Sequence, residues 1–221
     1  PKLIDSLGHE DKIFCTAYGS FLNKLIEKPL PKPSSYSGNL IYHLGESHCL
    51  SYAHRKVKIQ GINYTITPKI IFGAKAFHFA RKASDKYKAI TSAHFASLPK
   101  GSNVFLSFGE IDCRPDEGFM SAAVKYKKSV EELITDTVKG YLNWFFDQNA
   151  KKNHNLFFFN IPAPVYDEKY NTEINNKVAN TVRLFNLTME QSILDLDFKL
   201  IDVFKFTVGN NGFSNGLFHI D

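Results

Sequence analysis

Leu40-Ile41-Tyr42-His43-Leu44-Gly45-Glu46-Ser47-His48 opens as a short, mostly apolar run and breaks on a glycine followed by polar side chains. Such a run, closed by a turn signal, reads as a buried strand. Val57–Gln60, Tyr64–Phe72, Val104–Phe108, Leu156–Phe159 and Phe198–Val203 read the same way, and several end on a turn: Gly73, Gly109, Asn160-Ile161-Pro162. Helical patterns lie between them. One follows Gly73, one runs from about Met120 to Ala150 with a break expected near Gly140, and one from about Thr172 to Leu194. Alternating strands and helices imply a largely parallel sheet covered by helices on both faces. The expected fold is therefore a three-layer α/β/α sandwich on a mostly parallel, five-stranded sheet. Ligands of such sheets bind outside the carboxyl ends of the strands, where the main polar clusters of this chain fall.

The 221 residues suffice for one medium domain with a short appendage, and 43% hydrophobic with 22% charged residues is the balance of an ordinary globular protein. Residues 1–38 read as a helical lead-in, with Ile13, Phe14, Ala17, Phe21, Leu22, Leu25 and Ile26 at helical spacing. The Pro29-Leu30-Pro31-Lys32-Pro33 stretch then serves as a stiff linker. This segment is a candidate end of an upstream helical domain, and residues 39–221 form the main one. The net charge of +5 is mild, and no basic stripe interleaved with aromatics points to nucleic acid. The basic run Lys125–Lys128 reads as a solvated helix face. The twenty Phe residues read as core.

Cys15, Cys49 and Cys113 are odd in number and have no zinc spacing, so no metal or cofactor is expected and reduced thiols in the cytoplasm are the simplest reading. No apolar run is long enough for a membrane span. The chain begins at Pro1, so the lack of a signal peptide does not decide its location.

Four clusters carry candidate chemistry. Ser47, in a tight strand-to-helix turn, can project its hydroxyl above the sheet with backbone N–H groups pointing the same way, although serine is also an ordinary helix N-cap. Gly73 permits close backbone approach to a ligand, or simply a turn. Gly109-Glu110-Ile111-Asp112-Cys113-Arg114 crowds two carboxylates and a guanidinium at a strand end, which suits either direct chemistry or an ion-pair network. Leu217-Phe218-His219-Ile220-Asp221 follows a loop rich in Gly and Asn.

In order, these clusters resemble the blocks of the SGNH (GDSL-like) hydrolase superfamily over residues 39–221. Gly45-Glu46-Ser47 is similar to its Gly-Asp-Ser block, Gly73 to its oxyanion-hole glycine, and Gly109-Glu110-Ile111-Asp112 to its Gly-x-Asn-Asp block. The Gly-Glu-Ile-Asp-Cys-Arg string resembles a bacterial subgroup of SGNH-like domains. The resemblance implies a flavodoxin-like sandwich and a serine esterase or deacetylase acting on a small acyl ester, with carbohydrate esters favoured. Ser47, Gly73 and Asp221 would be its catalytic residues, with His48, Glu110, Asp112, Arg114 and Asn160 in binding roles. Two departures stand out. Ile111 replaces the usual Asn donor, leaving Arg114 or Asn160 to fill that role. Asp221 fits the Asp of the Asp-x-x-His block, which places the histidine three positions further on, among last residues of the domain not included in this sequence. A catalytically inactive binding domain for a glycan or partner, or an acyltransferase module of a larger protein, is the alternative expectation.

Overall fold

The computed structural model describes residues 38–217 apart from 195 and 197. The proposed lead-in, Cys15, His219 and Asp221 lie outside the described residues. The strands are β1 (Asn39–Gly45), β2 (Lys56–Ile59), β3 (Ile62–Ile70), β4 (Asn103–Ser107), β5 (Asn155–Phe159) and β6 (Lys199–Ile201). The helices are α1 (Ala76–Ala80), α2 (Lys86–Ser97), α3 (Phe119–Tyr126), α4 (Val130–Asn149), α5 (Thr172–Leu194) and α6 (Phe204–Thr207).

The sheet has six strands, in the order β2-β3-β1-β4-β5-β6, rather than the five expected. Five of them, β3, β1, β4, β5 and β6, run parallel. The sixth, β2, is the antiparallel partner of β3. Gln60 and Gly61 join them, both at positive φ (49° and 83°), which is the geometry of a two-residue hairpin turn. The order reverses beside β1: the chain leaves it toward β3, then crosses back to lay β4 on its other side. That reversal opens a crevice at the carboxyl ends of β1 and β4.

Alternation along the strands builds the core. Leu44, Val104, Leu106 and Phe158 join Phe79 of α1, Phe95 of α2, Tyr141 and Phe145 of α4, and Phe185 and Met189 of α5 in one buried cluster. Ile41, Ile66, Phe105 and Phe159 form a smaller cluster on the opposite side of the strands. The Phe-rich composition is spent largely here, as edge-to-face and tilted ring pairs such as Phe79–Phe108 and Phe95–Phe145.

The 120–150 stretch departs from expectation. Its break lies at Lys127, which ends α3 in a left-handed conformation, and α4 restarts at Ser129 with a reciprocal Ser129–Glu132 cap. Gly140 sits inside an unbroken α4. A Cβ there would lie 2.7 Å from Cα of Ala80, so this glycine lets α1 and α4 meet backbone to side chain. Lys125, Lys127 and Lys128 are exposed, as a solvated face requires.

Candidate functional site

The crevice begins with a close approach. Gly45, the last residue of β1, pairs with Ser107 at the end of β4. A Cβ on Gly45 would stand 2.2 Å from Ser107 Oγ and 2.8 Å from its carbonyl oxygen, so only glycine fits. The chain then turns through Glu46 into a 3₁₀ turn, Ser47–Tyr52. Ser47, Gly73 and Gly109 thus follow the carboxyl ends of three adjacent parallel strands, β1, β3 and β4.

Glu46 organises this turn, although the sequence marked it only as a substitute for Asp. It is 2% exposed, and its carboxylate accepts a bond from Ser47 Oγ at 2.7 Å and one from the His48 amide at 3.3 Å. It also pairs with Nδ1 of His48. Burial pushes the Glu46 carboxyl upward, but the bonds from His48 and Ser47 outweigh it and hold the group below its ordinary value. His48 is raised in turn, chiefly by its bond to Glu46, with burial opposing.

Glu110 and Arg114 form the ion pair that one reading of this string gave, but Asp112 does not join them. Alternate positions share a side only in extended chain, and residues 111–113 instead form a 3₁₀ turn. Glu110 and Arg114 therefore face each other four residues apart, with Nη2 of Arg114 donating to Glu110 Oε2 at 2.8 Å and Nη1 donating to Glu117 at 3.2 Å. Asp112 turns inward, 2% exposed, and accepts the amides of Ala76 at 2.8 Å and Phe77 at 3.1 Å. Burial raises its carboxyl to about 7. Asp112 is thus a strut between the β4 loop and the start of α1, not a partner of Arg114.

Neither candidate replacement for the missing Asn donor is free. Arg114 is held by the two glutamates, and Asn160 donates from Nδ2 to Asp202 at 2.7 Å while accepting the Phe204 amide at 3.0 Å. Gly73 takes positive φ (67°) in an exposed turn closed by Ala74 N–H donating to Ile71.

Two spaces adjoin these residues. A chamber of about 110 Å³ is lined by His43, Glu46, His48, Ser107, Phe159 and Asn160 among others. A broad groove of about 1030 Å³ runs past Arg114, Asp116, Tyr166, Lys169 and Tyr170. His48, Ser51, Glu110, Ile161, Pro162 and Thr207 line both. Ser47 is exposed beside them and belongs to neither lining. The chamber wall also holds His43, fully buried and stacked on Phe159, with Nε2 2.9 Å from Ser107 Oγ and no partner for Nδ1 among the described residues. Burial lowers its pKa to about 4, so it is neutral. Its role, and that of Glu46, escaped the sequence reading, because a histidine inside an apolar run carries no local signal. Cys49 and Cys113 are free and buried, and burial raises the Cys49 thiol to about 12. No helix among the described residues is long and apolar enough to cross a membrane.

No protein-family model and no curated protein matches the chain. Among solved structures it is similar to a Streptococcus pneumonia protein provisionally described as a platelet activating factor. That match has 15% identity and a TM-score of 0.54, and it covers 94% of this chain and 89% of that one. This likeness shows the fold. A GDSL-like lipase from Bacteroides thetaiotaomicron matches at 10% identity and TM-score 0.48, covering 90% and 83% of the two chains. A carbohydrate acetylesterase from Sinorhizobium meliloti matches at 8% identity and TM-score 0.48, covering 80% and 88%.

Proposed function

We propose that this chain is an SGNH-type serine ester hydrolase that removes a small acyl group, with Ser47 as nucleophile. The observation that carries the reading is the placement of Ser47 on the first turn after β1, the strand beside which the sheet order reverses. Its hydroxyl sits on a carboxylate that also holds an imidazole. In this reading Ser47 Oγ attacks the acyl carbon, and the N–H groups of Ser47 and Gly73 receive the oxyanion, each worth roughly 3 kcal/mol of barrier. Asp221 remains the candidate for orienting a histidine. The small chamber suits a short acyl chain. The groove, with its charged side chains and Tyr166 and Tyr170, suits a polar alcohol such as a sugar, which makes a carbohydrate acyl ester the preferred substrate.

The test is hydrolysis of 4-nitrophenyl acetate and of acetylated sugars by the full chain, alongside labelling by a fluorophosphonate. Ser47→Ala should abolish labelling and cut kcat by several orders of magnitude. Unchanged turnover in that variant would exclude Ser47 as nucleophile.

A further inference from the structure

We propose that the groove beside Ser47 is an oligosaccharide site: it holds an uncharged glycan of more than one sugar ring, with Tyr166 and Tyr170 as platforms for those rings. The identification of that glycan as the alcohol part of an ester rests on the hydrolase reading above. Size is the first argument. At about 1030 Å³ the groove lies at the top of the range of roughly 300–1,000 Å³ that small-molecule sites span, so a single sugar would leave most of it unfilled. Groove and chamber meet at His48, Ser51 and Glu110, among others. An acyl group in the chamber and a glycan in the groove can therefore belong to one molecule.

The wall of the groove is built in advance. Residues 161–170 carry no helix or strand, yet they are pinned along their length. Pro162 and Pro164 restrict the backbone. The Ala163 amide donates to Thr207 Oγ1 at 2.9 Å, and the Ser214 amide to the Pro164 carbonyl at 2.8 Å. Asn175, 3% exposed, accepts the Asp167 amide at 2.9 Å and donates from Nδ2 to the carbonyls of Asp167 at 2.9 Å and Tyr170 at 3.1 Å. The tyrosines are fixed as well. Tyr166 is exposed, packs on Phe213 with ring centroids 5.3 Å apart, and keeps its hydroxyl 3.2 Å from Thr172 Oγ1. The Tyr170 hydroxyl donates to Asp116. With both hydroxyls committed, ring surface is what these side chains offer a ligand. The C–H face of a pyranose is apolar and settles on the electron-rich face of such a ring. Rings already held in place lose little freedom when a ligand binds.

Charge selects among glycans. Glu110 and Glu117 are matched by Arg114 and Lys75. That leaves Asp116, Asp167 and Glu168 against Lys169 along the lining, a local excess of negative charge on a chain whose net charge is +5. Carboxylate oxygens accept hydrogen bonds from sugar hydroxyls, which a neutral glycan supplies in abundance. A uronate supplies them too but adds like-charge repulsion.

The experiment titrates the full chain with neutral oligosaccharides of the cello-, xylo- and manno-series, from monosaccharide to tetrasaccharide, by isothermal titration calorimetry. Fluorophosphonate labelling and turnover of 4-nitrophenyl acetate run alongside. In at least one series Kd should fall stepwise with length. A galacturonate tetrasaccharide should bind more weakly at low salt, and the gap should narrow as salt rises. Tyr166→Ala and Tyr170→Ala should each raise the Kd of the tetrasaccharide by about 3- to 10-fold, while the two phenylalanine variants should stay within about twofold of the parent. If an alanine variant does not fold, leucine at the same position fills the space without a ring face and should show the same loss. Affinity that does not depend on length, folded alanine variants that bind like the parent, or a preference for the galacturonate would each overturn the inference. A chain that labels and turns over 4-nitrophenyl acetate but binds none of these sugars would overturn it alone. Sugar binding without labelling or turnover would keep the tyrosine platforms and end the hydrolase reading, and a chain that does neither would end both.

Discussion

Gly45 and Ser107, paired across β1 and β4, leave no room for a side chain between them: a Cβ on Gly45 would stand 2.2 Å from Ser107 Oγ. Gly45→Ala should destabilise the protein by roughly 1–3 kcal/mol, the usual cost of overpacking. Urea unfolding monitored by circular dichroism would measure it. Adding Ser107→Ala should recover only part of the loss, because the carbonyl oxygen 2.8 Å away remains. Full recovery would show that the hydroxyl alone sets the limit.

Gly140 offers a second test in which two effects oppose each other. Alanine is favoured over glycine in a helix interior by about 1 kcal/mol. Its methyl would lie 2.7 Å from both Cα and Cβ of Ala80, however, and backbone cannot rotate away. Overpacking should win, so Gly140→Ala should lower the unfolding midpoint despite its better propensity.

Asp112 predicts a pH dependence whose sign follows from its raised pKa of about 7. The folded state holds this proton more tightly than the unfolded chain does. The resulting stabilisation is complete below the ordinary value of 3.8 and is lost as pH rises toward about 7. Asp112→Asn should flatten that component of the stability–pH curve. It should also cost roughly 1–3 kcal/mol, because the amide NH₂ would stand where one carboxylate oxygen now accepts Ala76 or Phe77.

The Glu46–His48 pair has the opposite profile at its acidic end. Glu46 is lowered from 4.5, so its contribution is present above that value and fades as pH falls further. His48 is raised from 6.5, so its contribution is full below 6.5 and fades at higher pH. The pair should therefore stabilise the turn most between about 4.5 and 6.5. Comparing the His48→Gln and parent curves would isolate it, and parallel curves would show that the pair is not ionic.

Most of the parallel strands were legible because each is a short apolar run cut by glycine or proline, and the parallel order followed from the helices between them. The extra strand arose where Gln60-Gly61 made a hairpin, so that β2 joined the edge of the sheet. Gly140 misled because a glycine in a helical pattern reads as a break, whereas here it is a contact. Within the site, local spacing put Ser47 on the turn after the first strand and grouped Arg114 with two carboxylates, of which Glu110 is the partner. It did not reveal which way Asp112 turns, because that depends on the 3₁₀ turn and on amides 35 and 36 residues earlier in the chain. Nor did it reveal that Glu46 is sealed, which follows from the closeness of β1 and β4.

Cys49 lies directly behind the Glu46–His48 turn, its amide donating to the Glu46 carbonyl at 3.0 Å. Its thiol is buried and held protonated, so an alkylating reagent reaches it only when that turn opens. The rate of alkylation at Cys49 therefore serves as a clock for breathing of the Glu46–His48 turn. Bound substrate analogues should slow that clock, even when they are never turned over.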